Sequence, residues 1–111
     1  MPRDYKVFLD DVLQAIIKIR EYTAGFSPAK LAGDTKTFDA VVRNLEVIGE
    51  AAKAVPETVR LQHPEVDWKR ISGLRDILIH QYFGVDAQII CDIIQNKLPT
   101  LEQQIRAMLR S

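Results

Sequence analysis

Disulfide frameworks and strong net charge are both missing from this sequence. Cys91 is its single cysteine, which excludes an intramolecular disulfide and suits a reducing compartment. Lysine plus arginine and aspartate plus glutamate number 15 each, so the formal net charge is zero. A neutral protein has no overall electrostatic attraction for nucleic acid, and any such binding requires a local basic patch.

Long hydrophobic runs and metal-ligand spacings are also missing. The apolar stretches are a few residues long, well short of a membrane span, and the first residues do not resemble a signal peptide. We therefore expect a cytoplasmic protein without membrane contact. The two histidines and the cysteine are dispersed, so we expect no metal site and no cofactor. Cys91 lies in an isoleucine-rich segment, which predicts a buried core thiol.

Apolar residues recur at steps of three and four, which predicts helices throughout, and no segment alternates as a strand would. Helices are predicted over residues 4–22, from an N-cap at Asp34, Thr35 or Thr37 to about 55, over 57–62, from Trp68 to about Tyr82, and from 87 to the C-terminus. Residues 23–33 contain two glycines and a proline and are predicted to form a loop.

Caps, a glycine and a proline set the bounds and the course of the last two predicted helices. Asp67 is a plausible N-cap for the helix that starts at Trp68, and Gly84 is expected to stop it. Asp86 is the expected cap of the final segment. Its apolar face continues through Pro99, which indicates either a kinked helix or two abutting helices. Together these patterns predict one all-α domain over residues 1–111, an antiparallel bundle of four to five helices.

The most unusual polar residues lie together in the sequence GLRDILIHQYFGVD. Asp76 and His80 are four residues apart and therefore neighbours on an ideal helix, where the carboxylate can orient the imidazole. Arg75 and Tyr82 share a face, whereas Arg75 and His80 lie about 140° apart. Convergence of all four groups requires Arg75 to curl round the helix, unwinding near Gly84, or a second copy of the motif.

These residue types suit metal-free RNA cleavage, in which a 2′-hydroxyl attacks the adjacent phosphate. His80 can serve as general acid or base, and Arg75 can hold the phosphate through two parallel hydrogen bonds. Tyr82 can position the phosphate or stack on a base. From the residues alone, a structural role for this set remains open, because histidine beside arginine and aspartate on a helix is commonly structural.

Residues Arg75–Tyr82 match the R-x4-H-x-Y motif and resemble HepT-like toxins of the HEPN superfamily. Asp76 stands where that superfamily commonly has asparagine. The resemblance extends to 42–53 (VRNLEVIGEAAK), to 63–74 (HPEVDW and ISGL), to YFGVD at 82–86 and to Leu98–Pro99, and so covers nearly the whole chain.

The resemblance implies a homodimeric HEPN bundle whose two motifs meet in a composite cleft. It also implies RNA as substrate, metal-independent cleavage, and a type II toxin–antitoxin system. The antitoxin implied is a small MntA-like nucleotidyltransferase, in a hetero-oligomer with the toxin that can be larger than one dimer. Members of that partner family adenylylate the motif tyrosine, here Tyr82. An added AMP would place bulk and negative charge beside Arg75 and block the substrate phosphate.

Several alternatives remain open. Glu46 and Glu50 belong to a charged stripe on the second helix and either border the cleft or hold Arg75, or they form a solvated face. Lys69 and Arg70, with Arg75, form the best local basic patch. The whole chain could instead be a non-catalytic binding module that pairs with a nucleotidyltransferase or is modified by it, or a purely structural bundle.

Overall fold

Helices make up the regular secondary structure of residues 4–80 and 87–111, which this computed structural model describes, with the backbone alone for 75–80. The helices are α1 (Tyr5–Tyr22), α2 (Pro28–Gly33), α3 (Thr35–Ala54), α4 (Glu57–Gln62), α5 (Trp68–His80), α6 (Ala87–Asp92) and α7 (Leu98–Arg110), with a π-helical segment at Ile93–Lys97. The all-α prediction is confirmed. In the described ranges, no helix is long and apolar enough to cross a bilayer.

Aspartates cap the helices where the sequence provides them. The Asp34 carboxylate accepts a hydrogen bond of 3.1 Å from the Thr37 backbone N–H, so Asp34 is the cap of α3 among the three candidates. This bond lowers the pKa of Asp34 because it favours the ionised form. Asp67 accepts from the Arg70 N–H at 3.2 Å and caps α5 as predicted. Asp86 and Gly84 lie outside the described residues.

The loop predicted over residues 23–33 is wrong in its second half, which forms α2. Ser27 caps this short helix by accepting a hydrogen bond of 3.1 Å from a first-turn backbone N–H. Pro28 occupies its first turn, where its fixed φ and missing N–H are tolerated. Leu31 is fully buried and ties α2 to the core. The turn before it uses Gly25 at a φ of 77°, a conformation that favours glycine.

The core lies between α1, α3, α5 and α7. Helix α3 packs against α1 and α5, and α7 packs against α1. The largest fully buried side chains come from several helices: Leu9, Ile16, Ile19, Leu31, Leu45, Ile48, Ile90, Leu98 and Ile105.

A π-helical turn joins α6 to α7 and accommodates Pro99. The Leu98 N–H donates to the Ile93 carbonyl, five residues back, instead of the α-helical four. Proline has no N–H, and its ring would clash with a carbonyl four residues back, so the wider turn relieves both problems. The sequence left open a kinked helix or two abutting helices. The structure has two helices, α6 and α7, joined directly by the π-helical segment.

Two neighbouring isoleucines in α6 continue the apolar spacing that leads to α7, but only one of them is in the core. Ile90 is 1% exposed, whereas 59% of Ile89 is exposed. Consecutive residues of a helix point about 100° apart, so these two side chains do not face the same neighbours. The prediction of a single apolar face through this segment is therefore wrong for Ile89. Phe38 of α3 is half-buried and packs against the edge of the core.

A carboxylate between two arginines connects α1 to α7. Glu102 Oε1 accepts a hydrogen bond from Arg20 Nη1 at 2.6 Å, and Oε2 accepts one from Arg106 Nε at 3.1 Å. The Glu102 side chain is 16% exposed. The hydrogen bond from Arg20 and, to a smaller extent, that from Arg106 lower the pKa of Glu102 below its ordinary 4.5, against the opposing effect of burial.

We expect Glu102→Gln to decrease the free energy of unfolding at pH 7 by about 0.5–1 kcal/mol. Because the pKa of Glu102 is lower in the folded state, its contribution is present above 4.5 and is lost as the pH falls through the folded-state value. The variant should therefore equal the wild type in strong acid. Urea unfolding at pH 7 and at about pH 3 measures this, with the exposed α1 residue Glu21→Gln as control. An equal effect of both substitutions would contradict the prediction.

Candidate active site

The helix that carries the motif, α5, is held firmly at its start. Asp67 caps it, and the Trp68 side chain, 8% exposed, packs into the core. Trp68 Nε1 also donates a hydrogen bond of 3.0 Å to the His63 carbonyl in the preceding loop. Ile71 and Leu74 then pack against the core from the next turns. Trp68 therefore anchors α5 in the core.

The motif residues Arg75, Asp76 and His80 all lie on α5, and the fourth, Tyr82, lies outside the described residues. The backbone is helical through His80. Arg75 and His80 are therefore about 140° apart around the α5 axis, as the ideal helix predicts. Unwinding near Gly84, one of the three alternatives for bringing these groups together, falls outside the described residues.

Helical register relates the motif to the first turns of α5. Positions 72, 76 and 80 follow one another at steps of four and form one row of the helix. Positions 69, 73, 76 and 80 lie on the side opposite Ile71 and Leu74, which pack on the core. Asp76 and His80 thus continue the row that begins at the α5 start, whereas Arg75 lies nearer the core-facing side.

The acids proposed for the cleft border belong to the helix next to α5. Glu46 and Glu50 lie on α3, which packs against α5. Glu46 is half-buried, and its Oε2 is 3.5 Å from Nη1 of the exposed Arg43. Glu50 is exposed. Gly49, between them, is buried in α3. The Arg43–Glu46 pair fits a solvated charged stripe, and a role of either acid at a cleft stays a prediction.

A groove of about 1070 Å³, here called the α4–α5 groove, runs beside the start of the motif helix. Its walls come from the end of α3, from α4, from the loop after α4 and from the first turns of α5. The lining includes the side chains of Lys53, Arg60, Leu61, Lys69 and Ser72, and Gly73. The sequence indicated only Lys69 of this set. Its neighbour Arg70 does not line the groove, and its Nε lies 3.7 Å from Asp67 Oδ2. Lys53 and Arg60 were missed as groove residues because they lie on other helices.

The remaining candidate groups are structural. Cys91 is 7% exposed, and burial raises the pKa of its thiol, which confirms the predicted core position. His63 lies in the loop before α5, with its Nδ1 3.2 Å from Glu65 Oε1. Within 4–80 and 87–111, no three His, Cys, Asp or Glu side chains are grouped so that they could hold a metal ion.

Comparison with known proteins gives one consistent family. The family model described as "Ribonuclease HepT-like" matches residues 12–108. "Putative RNase MJ0127" of Methanocaldococcus jannaschii is 41% identical over 111 residues, which cover 99% of this chain and 92% of that protein. "Probable ribonuclease HepT" of Thermococcus cleftensis is 39% identical over 102 residues, 92% of this chain and 93% of that protein. No solved structure matches significantly.

Proposed function

The chain belongs to the HepT-like ribonuclease family, and on this basis we propose that it is a metal-independent ribonuclease toxin. The observation that carries the proposal is the R-x4-H-x-Y motif of residues 75–82, which lies inside the family match over 12–108. The names of the similar proteins support RNA as the substrate. The toxin role and the independence from metal rest on the resemblance of the motif and its flanking sequence.

In the proposed reaction, the 2′-hydroxyl of one nucleotide attacks its own 3′-phosphate and the 5′-oxygen of the next nucleotide leaves. His80 either takes the proton from the attacking 2′-hydroxyl or gives a proton to the leaving 5′-oxygen, and water exchanges the proton at the other oxygen. Arg75 stabilises the negative charge that gathers on the phosphoryl oxygens. Asp76, one helical turn before His80, orients the imidazole or Arg75, and Tyr82 positions the substrate.

A homodimer would solve the problem that α5 poses for this chemistry. The helix is continuous through His80 and separates Arg75 from His80 by about 140°, which favours a site assembled from two protomers. In a two-fold dimer both protomers present the same surface, so two copies of α5 can face each other and pair Arg75 of one copy with His80 of the other. We therefore propose a composite cleft between two HEPN domains.

Mixing two inactive variants tests the composite cleft. We expect Arg75→Ala and His80→Ala to be inactive alone. Refolded together at equal amounts, they should regain about a quarter of wild-type cleavage, because half of the dimers are mixed and each mixed dimer has one intact site. Cleavage of a fluorescent RNA measures the recovery. A mixture as inactive as its components, with mixed dimers demonstrated by mass spectrometry, would exclude a site shared between protomers.

The two histidines offer a matched pair for testing the catalytic assignment. We expect His80→Ala to reduce the rate of RNA cleavage by at least about 100-fold, the usual contribution of a general acid or base. His63→Ala should cleave like the wild type, because the hydrogen bond of the His63 side chain within the described residues is to Glu65 in its own loop. Cleavage is measured in the presence of EDTA, with far-ultraviolet circular dichroism to verify folding.

Growth of cells that express each variant gives an independent readout. The wild type and His63→Ala should arrest growth, and His80→Ala should not. Equal toxicity of His80→Ala and wild type would contradict the catalytic assignment. A wild-type chain that neither arrests growth nor cuts RNA would favour the other candidate, a non-catalytic module that binds a nucleotidyltransferase.

We further propose an MntA-like nucleotidyltransferase as the antitoxin partner and Tyr82 as the residue that it adenylylates. The AMP would add a phosphate close in sequence to Arg75, compete with the substrate phosphate for this cation and fill the cleft. This proposal rests on the motif alone, because Tyr82 lies outside the described residues.

Co-expression with such a nucleotidyltransferase should increase the mass of the chain by one or more adenylyl groups, mapped to Tyr82 by peptide mass spectrometry. We expect Tyr82→Phe to abolish this increase, and Tyr22→Phe, which changes an exposed tyrosine on α1, to leave it intact. Modified wild type should lose RNA cleavage because Arg75 is occupied. A mass increase that persists in Tyr82→Phe would place the modification elsewhere.

A further inference from the structure

The α4–α5 groove brings together cations from three helices. Lys53 comes from the end of α3, Arg60 from α4 and Lys69 from the first turn of α5. Lys53 and Lys69 are exposed, and Arg60 is half-buried. None of the three forms an ion pair within the described residues. They therefore remain available to an anionic ligand.

Two polar atoms in the groove wall lack a hydrogen-bond partner in the described part of the protein. Arg60 Nε and Ser72 Oγ are both buried, although their residues are only half-buried. Buried polar groups are nearly always hydrogen-bonded in folded proteins, so such a pair in one groove requires an explanation. A ligand rich in acceptor oxygens would satisfy the arginine donor, and the hydroxyl can donate to the same group.

The groove also contains acids, and two of the three are already paired. Glu65 lies 3.2 Å from His63, and Asp67 accepts from the α5 backbone and contacts Arg70. The third, Glu57, is exposed in the first turn of α4, where the helix dipole stabilises a negative charge. The acids therefore compete only partly for the three cations.

Apolar surface completes the groove. Leu61 is 72% exposed, and Pro64 is also exposed. A surface that offers cations and apolar groups side by side suits a single-stranded nucleic acid, whose phosphates and unstacked bases need both. The volume of 1070 Å³ is at the upper end of the range of about 300–1,000 Å³ for small-molecule sites, so the groove holds more than a single small group.

The groove lies beside the first turns of the same helix, α5, that carries positions 75, 76 and 80. Ser72 and position 80 belong to one row of the helix and are about 12 Å apart along its axis, at about 1.5 Å per residue. A stacked strand advances about 3.4 Å per nucleotide, so this distance corresponds to about three or four nucleotides. A strand whose reactive nucleotide lies at His80 can therefore reach Lys69 and the cations beyond it.

From these observations we infer that the α4–α5 groove binds the single-stranded RNA that flanks the cleaved nucleotide, with phosphates at Lys53, Arg60 and Lys69 and a hydrogen bond from Ser72. The inference rests on the proposed ribonuclease function and extends it, because it assigns affinity for longer strands to residues outside the motif. Contacts of this kind are independent of base sequence and sensitive to salt.

The test removes the three positive charges together, in Lys53→Gln/Arg60→Gln/Lys69→Gln. The control removes three exposed lysines elsewhere, in Lys18→Gln/Lys36→Gln/Lys97→Gln. Binding of a 2′-O-methylated strand of about 12 nucleotides, which lacks the attacking hydroxyl, is followed by fluorescence anisotropy at several salt concentrations. The double variant Lys53→Gln/Lys69→Gln changes exposed residues only and serves if loss of Arg60 disturbs folding.

We expect the groove variant to bind the strand at least about 10-fold more weakly than the wild type at low salt. The slope of log affinity against log salt should decrease in magnitude by about 2, because each of the three lost phosphate contacts contributes about 0.7. The double variant should show about two thirds of this change in slope. Cleavage of a dinucleotide, too short to reach the groove, should stay within about 2-fold of wild type, whereas kcat/KM for the unmethylated long strand should fall with the affinity.

The outcomes separate this inference from the proposed function. If the wild type cuts RNA and the groove variant binds and cuts like the control, the inference is wrong and the ribonuclease proposal stands. If the wild type neither binds nor cuts any strand, both fail. If the groove variant retains RNA binding but loses a copurifying protein, the groove is a protein docking surface and the RNA inference is overturned.

Discussion

The anchoring of α5 at its first residues sets the rotation of the helix that carries positions 75, 76 and 80. Asp67 caps the helix, Trp68 fills the core and donates to the loop before it, and Ile71 with Leu74 holds the next turns against the core. Once these contacts fix the rotation of α5, the 3.6-residue period fixes the direction of each later position. Lys69 and the motif positions through His80 therefore lie on one helix, and the neighbouring α3 and α4 contribute Lys53 and Arg60 to the groove beside it.

This constraint explains why a single copy of the chain is poorly suited to the chemistry that its motif suggests. The core requires Ile71 and Leu74 to face inward, which places His80 on the opposite side and Arg75 closer to the core. A straight helix does not aim both positions at one point, so convergence requires the Arg75 side chain to curl round the helix, unwinding near Gly84, or a second copy of the motif. The proposed two-fold dimer would bring the opposite sides of two α5 helices together without straining either backbone.

Local signals in the sequence predicted the parts of the structure that local physics controls. Hydrophobic periodicity and N-caps predicted α1, α3, α4 and the start of α5 within a residue or two. The errors at α2 and at Ile89 have physical causes. Ser27–Pro28 is both a breaker pair and a helix start, and in the isoleucine-rich α6 neighbouring apolar residues point about 100° apart, so composition alone does not tell which of them is buried. The groove could not be predicted because Lys53, Arg60 and Lys69 meet only through the packing of separate helices.

A net charge of zero places a further condition on any function with RNA. Without an overall field, binding energy must come from a few short-range contacts, so affinity has to be concentrated where cations are free of acidic partners. Much of the charge is instead used within the fold, as in Arg20–Glu102–Arg106, where a carboxylate with a lowered pKa joins α1 to α7. Within the described residues Lys53, Arg60 and Lys69 form no such pair, so they are the cations on which the inferred RNA contacts depend.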